Sequence, residues 1–256
     1  MPDTEEFPYH RMVSDLQDQI LGGQLPPGGR MPSENELARQ YGTSRPTVRR
    51  AIAHLKAEGL VISEQGSGTF VRPRPRVRML VTGSNYRRHR ALGLPGFNAQ
   101  ALEQGMSPRQ AITEVARISA PTDVAQQLDL DEGSSVIVRR RVFFLDDTPV
   151  ALTDSYYPAD MAGGTAIERP ERIKGAVHAF IEDENGPIRR KIARSVDDVS
   201  ARMPTPDEAT ALRLPQGVPV FRVLRTVYDS GNRPVEVQES VAAADRHGLR
   251  YEVDLR

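Results

Sequence analysis

The sequence predicts an α+β protein in two parts. One is a small N-terminal head of three short helices and a β-hairpin. The other is a larger antiparallel sheet covered by helices. Three observations carry this reading. Residues 30–73, RMPSENELARQYGTSRPTVRRAIAHLKAEGLVISEQGSGTFVRP, hold two short helical patterns around a tight Gly42-Thr43-Ser44 joint and then a glycine-tipped pair of strands. From about Val77 onward, β-rich runs at 136–144, 149–157, 220–228 and 235–241 alternate with helical patterns. One stretch of that second part is also echoed later at a constant offset.

Taken in order, residues 9–21 place Met12, Val13, Leu16 and Ile20 at helical spacing, and Gly22-Gly23 supplies a stop. Leu25-Pro-Pro-Gly-Gly is a rigid loop. Ser33 and Glu36 have the spacing of a capping box, opening a helix that ends at Tyr41 before Gly42. Ser44 can cap a third helix, with Pro46 tolerated in a first turn whose amides are unpaired anyway. Val48, Ala51, Ile52 and Leu55 form its apolar face, and Arg45 and Arg49 stand one turn apart off that face. Residues 60–64 and 69–71 read as strands around Gln65-Gly66-Ser67-Gly68. Prolines from Pro73 onward mark a linker, so the expected organisation is a head at 1–72, a linker at 73–84 and a second domain at 85–256.

In the second domain, Asp123-x-Ala125-x2-Leu128-x-Leu130-x2-Gly133-x2-Val136 recurs as Asp207-x-Ala209-x2-Leu212-x-Leu214-x2-Gly217-x2-Val220. Each copy continues to an arginine, Arg141 or Arg225, then to a polar turn and a strand-opening proline. The alternative is chance likeness between two ordinary hairpins, but the single offset favours a duplicated unit of helix, strand, hairpin and strand.

Composition sets the bounds. Hydrophobic residues at 38% and charged residues at 27% are ordinary for a soluble protein with a core in each domain. Net charge is zero, so any attraction to nucleic acid must come from charge distribution. The segment 72–90 holds seven arginines and no acid, which fits either a basic solvated linker or a nucleic-acid patch. Without cysteine there are no disulfides, thiolate zinc sites or cysteine nucleophiles. No apolar run reaches membrane-span length and no signal-peptide core is present, so a cytoplasmic protein with no membrane partner is expected.

The head has the geometry of a groove reader. A major groove admits one helix, whose N-terminal residues meet base edges. Arg45 and Arg49 are the residue type that most often reads guanine with two hydrogen bonds, and Thr47 can meet a phosphate or a thymine methyl. Gly66 permits a positive φ and close approach to a minor groove. Any one of these arginines alone is more often a solvated surface residue; the combination is specific. Catalytic patterns are missing. The histidines at 10, 54, 89, 178 and 247 have no ligand spacing, Gly66-x-Gly68 lacks the third glycine of a dinucleotide loop, and no Gly-x-Ser-x-Gly elbow occurs. His178, in an apolar helical run, reads as a core or pocket-lining group. No enzyme activity, cofactor or metal is expected.

Pro32-Ser33-Glu34-x-Glu36-Leu37-Ala38, Ser44-Arg45-Pro46-Thr47-Val48-Arg49-Arg50-Ala51 and Gln65-Gly66-Ser67-Gly68-Thr69-Phe70-Val71 resemble the winged helix-turn-helix of GntR-family bacterial transcription regulators. The resemblance implies operator contacts from Ser44, Arg45, Thr47, Arg49, Arg50, Gln65 and Gly66. Asn35 stands where that family often has arginine. Arg139-x-Arg141, Asp147-x-Pro149, Ser155-Tyr156-Tyr157-Pro158, Pro234-Val235-Glu236 and Asp245-Arg246 resemble the UTRA effector-sensing domain of the HutC subfamily, whose fold is like chorismate lyase. It implies an effector site at Arg139, Arg141, Tyr156, Arg225 and Glu236, with the first two on anionic groups and Glu236 on a sugar. Alternate strand residues share a face, so Arg139 and Arg141 can converge on one anion. Thr153 replaces a common glutamate, and the 176–178 segment lacks the Ser and Tyr that hold phosphate, so the effector expected here is other than an amino-sugar phosphate. The expected whole is a homodimeric repressor released from double-stranded operator DNA by a small effector. Alternatives are an effector-independent repressor and a DNA-tethered lyase-like enzyme.

Overall fold

The computed structural model describes residues 6–64, 66–73, 79–81, 97, 101–102, 105–173 and 175–249. The chain divides into two compact units, residues 1–76 with 214–218, and residues 77–213 with 219–256.

The first unit contains α1 (Glu6–Leu21), α2 (Glu34–Gln40), α3 (Arg45–Ala57), β1 (Val61–Glu64) and β2 (Gly68–Val71). Its core is the set of apolar residues spaced for helices: Met12, Leu16, Leu37, Val48, Ala51 and Leu55, closed from the hairpin side by Val61 and Val71. The larger of these side chains each contribute about 1.5–3 kcal/mol, which stabilises helices too short to persist alone. The capping box forms as the spacing requires: Ser33 N donates to Glu36 Oε2 at 2.8 Å, and Glu36 N donates to Ser33 Oγ at 3.3 Å. The main-chain and hydroxyl bonds from Ser33 hold the Glu36 carboxyl below its ordinary pKa. Gly42, at φ 60°, makes the joint between α2 and α3. β1 and β2 pair antiparallel from Val61↔Val71 to Glu64↔Gly68, and Arg30 bridges to Phe70 at their base.

The second unit is built on one antiparallel sheet. Its elements are β3 (Met79–Val81), β4 (Pro108–Ser119), α4 (Thr122–Gln127), β5 (Ser135–Leu145), β6 (Thr148–Pro158), α5 (Ala159–Ala162), a 3-10 turn (Ala166–Glu168), α6 (Val177–Glu182), β7 (Ile192–Arg202), α7 (Pro206–Ala211), β8 (Val220–Asp229), β9 (Pro234–Ala243) and β10 (His247–Leu249). Six strands run in the order β4-β5-β6-β9-β8-β7, and β10 pairs in parallel with β3. Most of the linker expected at 73–84 lies outside the described residues; within it, residues 79–81 are strand β3.

The duplicated unit is visible in that order. The series β4-α4-β5-β6 and β7-α7-β8-β9 meet back to back where β6 pairs β9. The sheet separates two cores. On one face α4 packs Val124 and Leu128 against Val136, Val138, Tyr156, Leu224 and Val237. On the other, Ala162, Ile167 and Ile181 cover Ile137, Tyr157 and Val227. No helix among the described residues is long and apolar enough to cross a membrane.

Candidate functional site

Two places bring chemistry together, one in each unit. In the first unit α3 opens at Ser44, whose Oγ accepts from Thr47 N and lies 2.9 Å from Thr47 Oγ1. That cap fixes the helix end from which Arg45 and Arg49 project. Both stay exposed, at 55% and 61%, and both turn to one carboxylate. Arg49 Nε donates to Glu34 Oε1 and Oε2 at 3.1 and 2.9 Å, and Arg45 Nη2 donates to Oε2 at 3.2 Å. Arg50 points elsewhere, with its guanidinium 4.5 Å from the centre of the Tyr9 ring on α1. Gly66 adopts φ 79° at the hairpin tip, with open space where a Cβ would stand. A side chain there would be strained by the backbone rather than by crowding. Gln65 lies outside the described residues. No pattern in the sequence singles out Glu34; its place between two arginines depends on how the joint folds.

In the second unit, strand register decides which expected residues meet. β5 and β6 pair Arg139↔Ser155 and Arg141↔Thr153, while β6 and β9 pair Thr153↔Ser240 and Ser155↔Gln238. Directly paired residues share a face, so Arg141, Thr153, Ser155, Gln238 and Ser240 form a polar floor on the face carrying α6. Thr153 Oγ1 and Ser240 Oγ are 3.1 Å apart, and Gln238 Nε2 donates to Ser240 Oγ at 3.1 Å. Arg141 Nη2 donates to Ser155 Oγ, while its Nε is buried and has no hydrogen-bond partner among the described residues.

Glu236, 2% exposed, borders this floor. Its Oε1 accepts from Tyr157 Oη at 2.7 Å and its Oε2 accepts from His178 Nε2 at 2.5 Å, which joins the sheet to α6. Burial pushes the Glu236 carboxyl up. The charge and hydrogen bond of His178, the Tyr157 hydroxyl and the Arg141 charge outweigh it and hold the group at about 2. Burial raises Tyr157 well above its ordinary value, with the Glu236 charge adding to it.

Three expected residues are placed apart from the Arg141 and Glu236 groups. Arg139 shares the face with Arg141, but the residue is 2% exposed and its guanidinium is occupied by main chain. It donates to the carbonyls of Ile167 at 2.8 Å, Arg169 at 2.5 Å and Glu171 at 2.9 Å. It therefore ties the 167–171 segment to the sheet. Tyr156 lies on the opposite face, because neighbouring strand residues alternate, and packs in the α4 core. Tyr157, next to it in sequence, lies on the face that carries Arg141. Arg225 is on the right face but sits at its far side, doubly bonded to Asp197 at 2.6 and 2.7 Å. The sequence did not disclose Tyr157, Ser155 or the His178–Glu236 bond as members of one cluster, since they lie on three separate elements. No group of metal-ligating side chains occurs among the described residues.

Residues 8–71 match the family model described as bacterial regulatory proteins, gntR family, and residues 103–248 match that of the UTRA domain. The HTH-type transcriptional repressor NagR of Bacillus subtilis (strain 168) is 29% identical over 96% of this chain and 94% of its own length. The HTH-type transcriptional regulator GgaR of Escherichia coli (strain K12) is 26% identical over 93% of this chain and 87% of its own. A crystal structure described as a GntR-family transcriptional regulator superposes with a TM-score of 0.69 at 28% identity, covering 97% of this chain and 98% of that one.

Proposed function

Because the chain belongs to the GntR family of bacterial regulators, with a UTRA domain behind its DNA-binding head, we propose that it is a cytoplasmic, homodimeric repressor that releases its operator when a small polar effector binds. Two copies of α3 enter successive major grooves of a pseudo-palindromic duplex, as two-fold symmetry requires. Arg45 and Arg49 meet base edges, Ser44 and Thr47 meet phosphate, and Arg50, Gln65 and Gly66 complete the contact around the hairpin tip. Arg50 must leave the Tyr9 ring to do so.

The effector binds on the polar floor of the second unit. One observation carries this reading: the buried Arg141 Nε, without a partner among the described residues, beside the hydroxyls of Thr153 and Ser155. A buried N–H left unmade is costly, so an oxygen of a ligand is favoured there. The hydroxyl and amide groups around it suit a polyhydroxylated compound with one anionic or carbonyl oxygen. With Arg139 bound to main chain, a single guanidinium faces that oxygen. The His178–Glu236 bond gives α6 a way to respond. An effector that prefers one arrangement of α6 by about 1–3 kcal/mol shifts operator affinity by roughly 5- to 150-fold.

Thermal-shift measurements with a panel of sugars, sugar acids and sugar phosphates test this on wild type and Arg141→Ala. A binding compound raises the wild-type midpoint and loses that effect in the variant; at a hundred times Kd the stabilisation is about 2.7 kcal/mol. Equal stabilisation of both proteins by every binding compound removes Arg141 from the site.

A further inference from the structure

We propose that Glu34 is a positioning residue for operator reading: its carboxylate sets which edge of the Arg45 and Arg49 guanidinium groups faces the groove. The proposal rests on α3 being the reading helix. Glu34 is the first residue of α2, and the Gly42 joint returns the chain so that the start of α2 lies beside the start of α3. Arg49 is held there by Nε alone, which contacts both carboxylate oxygens. Anchoring Nε leaves the two Nη groups as the outward edge. Those parallel N–H groups are the ones that can meet N7 and O6 of a guanine together. Arg45 is held by Nη2 to the same carboxylate, so one acid aligns both readers and screens their mutual repulsion.

A purely structural role does not account for Glu34. The start of α2 is already satisfied by the Ser33–Glu36 capping box, in which Glu34 takes no part. Glu34 is 31% exposed and so fills no core. An acid at a DNA-facing surface also opposes general phosphate attraction. Its presence weakens binding to any duplex while sharpening the choice among duplexes.

The test uses the full chain. Duplexes are selected from a random pool by the wild-type protein. Affinity is then measured for the winning duplex and for a scrambled duplex of the same composition, with wild type, Glu34→Ala and Glu34→Gln, alongside thermal midpoints. Glu34→Ala is expected to lose about tenfold in the ratio of the two affinities, the range of one base contact. Its binding to scrambled duplex should be equal or tighter, with an unchanged midpoint. Glu34→Gln, whose amide oxygen can still accept from Arg49 Nε, should lose less. A wild-type ratio in both variants, or equal weakening on both duplexes, overturns the proposal. A wild-type protein that enriches no sequence overturns the reading of α3 and with it the role of Glu34.

Discussion

Arginine is used in opposite ways in the two units. In the head, Arg45 and Arg49 are more than half exposed and share a single carboxylate. In the sensor unit, Arg139 is sealed from solvent and bound to three carbonyls. Arg246 repeats that pattern, donating to Pro149 O at 2.7 Å and Leu212 O at 3.1 Å. The energetics differ accordingly. Exposed ion pairs are worth about 0–1 kcal/mol, so Glu34 orients Arg45 and Arg49 without locking them, and their outward edges stay free to meet a base or phosphate. A buried guanidinium bonded to main chain cannot be removed without leaving orphaned carbonyls. Charge that must meet a partner stays near the surface, and charge that holds the fold lies inside it.

The largest effect expected from this contrast is in Arg139→Ala. It should destabilise the sensor unit by about 3–5 kcal/mol, as loss of a buried charged partner does. The measurement is denaturant unfolding, and the loss should appear with or without effector. A stability within 1 kcal/mol of wild type, about the most an exposed pair contributes, would mean that the carbonyls find other donors.

Glu236→Gln comes next, at about 3 kcal/mol near neutral pH. Its pH dependence has a definite sign. Glu236 is depressed from 4.5 to about 2, so its contribution is fully present above 4.5 and is lost as pH falls toward 2. The difference between wild type and Glu236→Gln should therefore narrow as pH falls below 4 toward 2. A difference independent of pH would show that the carboxylate charge contributes nothing there.

The head was largely legible before its structure, and the sensor only in outline. Local signals define the head: Ser33 three residues before Glu36, Ser44 before Pro46, Gly42 and Gly66 at positive φ. Each acts within a turn or two of chain, where sequence spacing and spatial spacing agree. The paired strands β5–β6 and β8–β9 were legible for the same reason, as runs with a polar turn and an internal echo. The edge strands β4 and β7 were not. Both have mostly exposed or half-exposed side chains, so PRQAITEVARIS and IARSVDDVSAR lack the apolar alternation of a half-buried strand. Which of the expected site residues come together was not legible. Tyr156 and Tyr157 are adjacent in sequence but face opposite cores, and only register tells them apart. Arg139 and Arg141 are equivalent by alternation. What separates them is the 167–171 segment folding over one and not the other, a contact between residues 28 to 32 positions apart.

The central claim is that the exposed arginines of α3 read DNA while the buried ones hold the sensor. It is tested most directly by fluorescence anisotropy of the selected duplex, titrated with wild type, Arg49→Ala and Arg45→Ala. The expected result for each variant is a loss of about 1–3 kcal/mol in binding, relaxed preference at one base position, and an unchanged thermal midpoint. Wild-type affinity and preference in both variants would contradict the account.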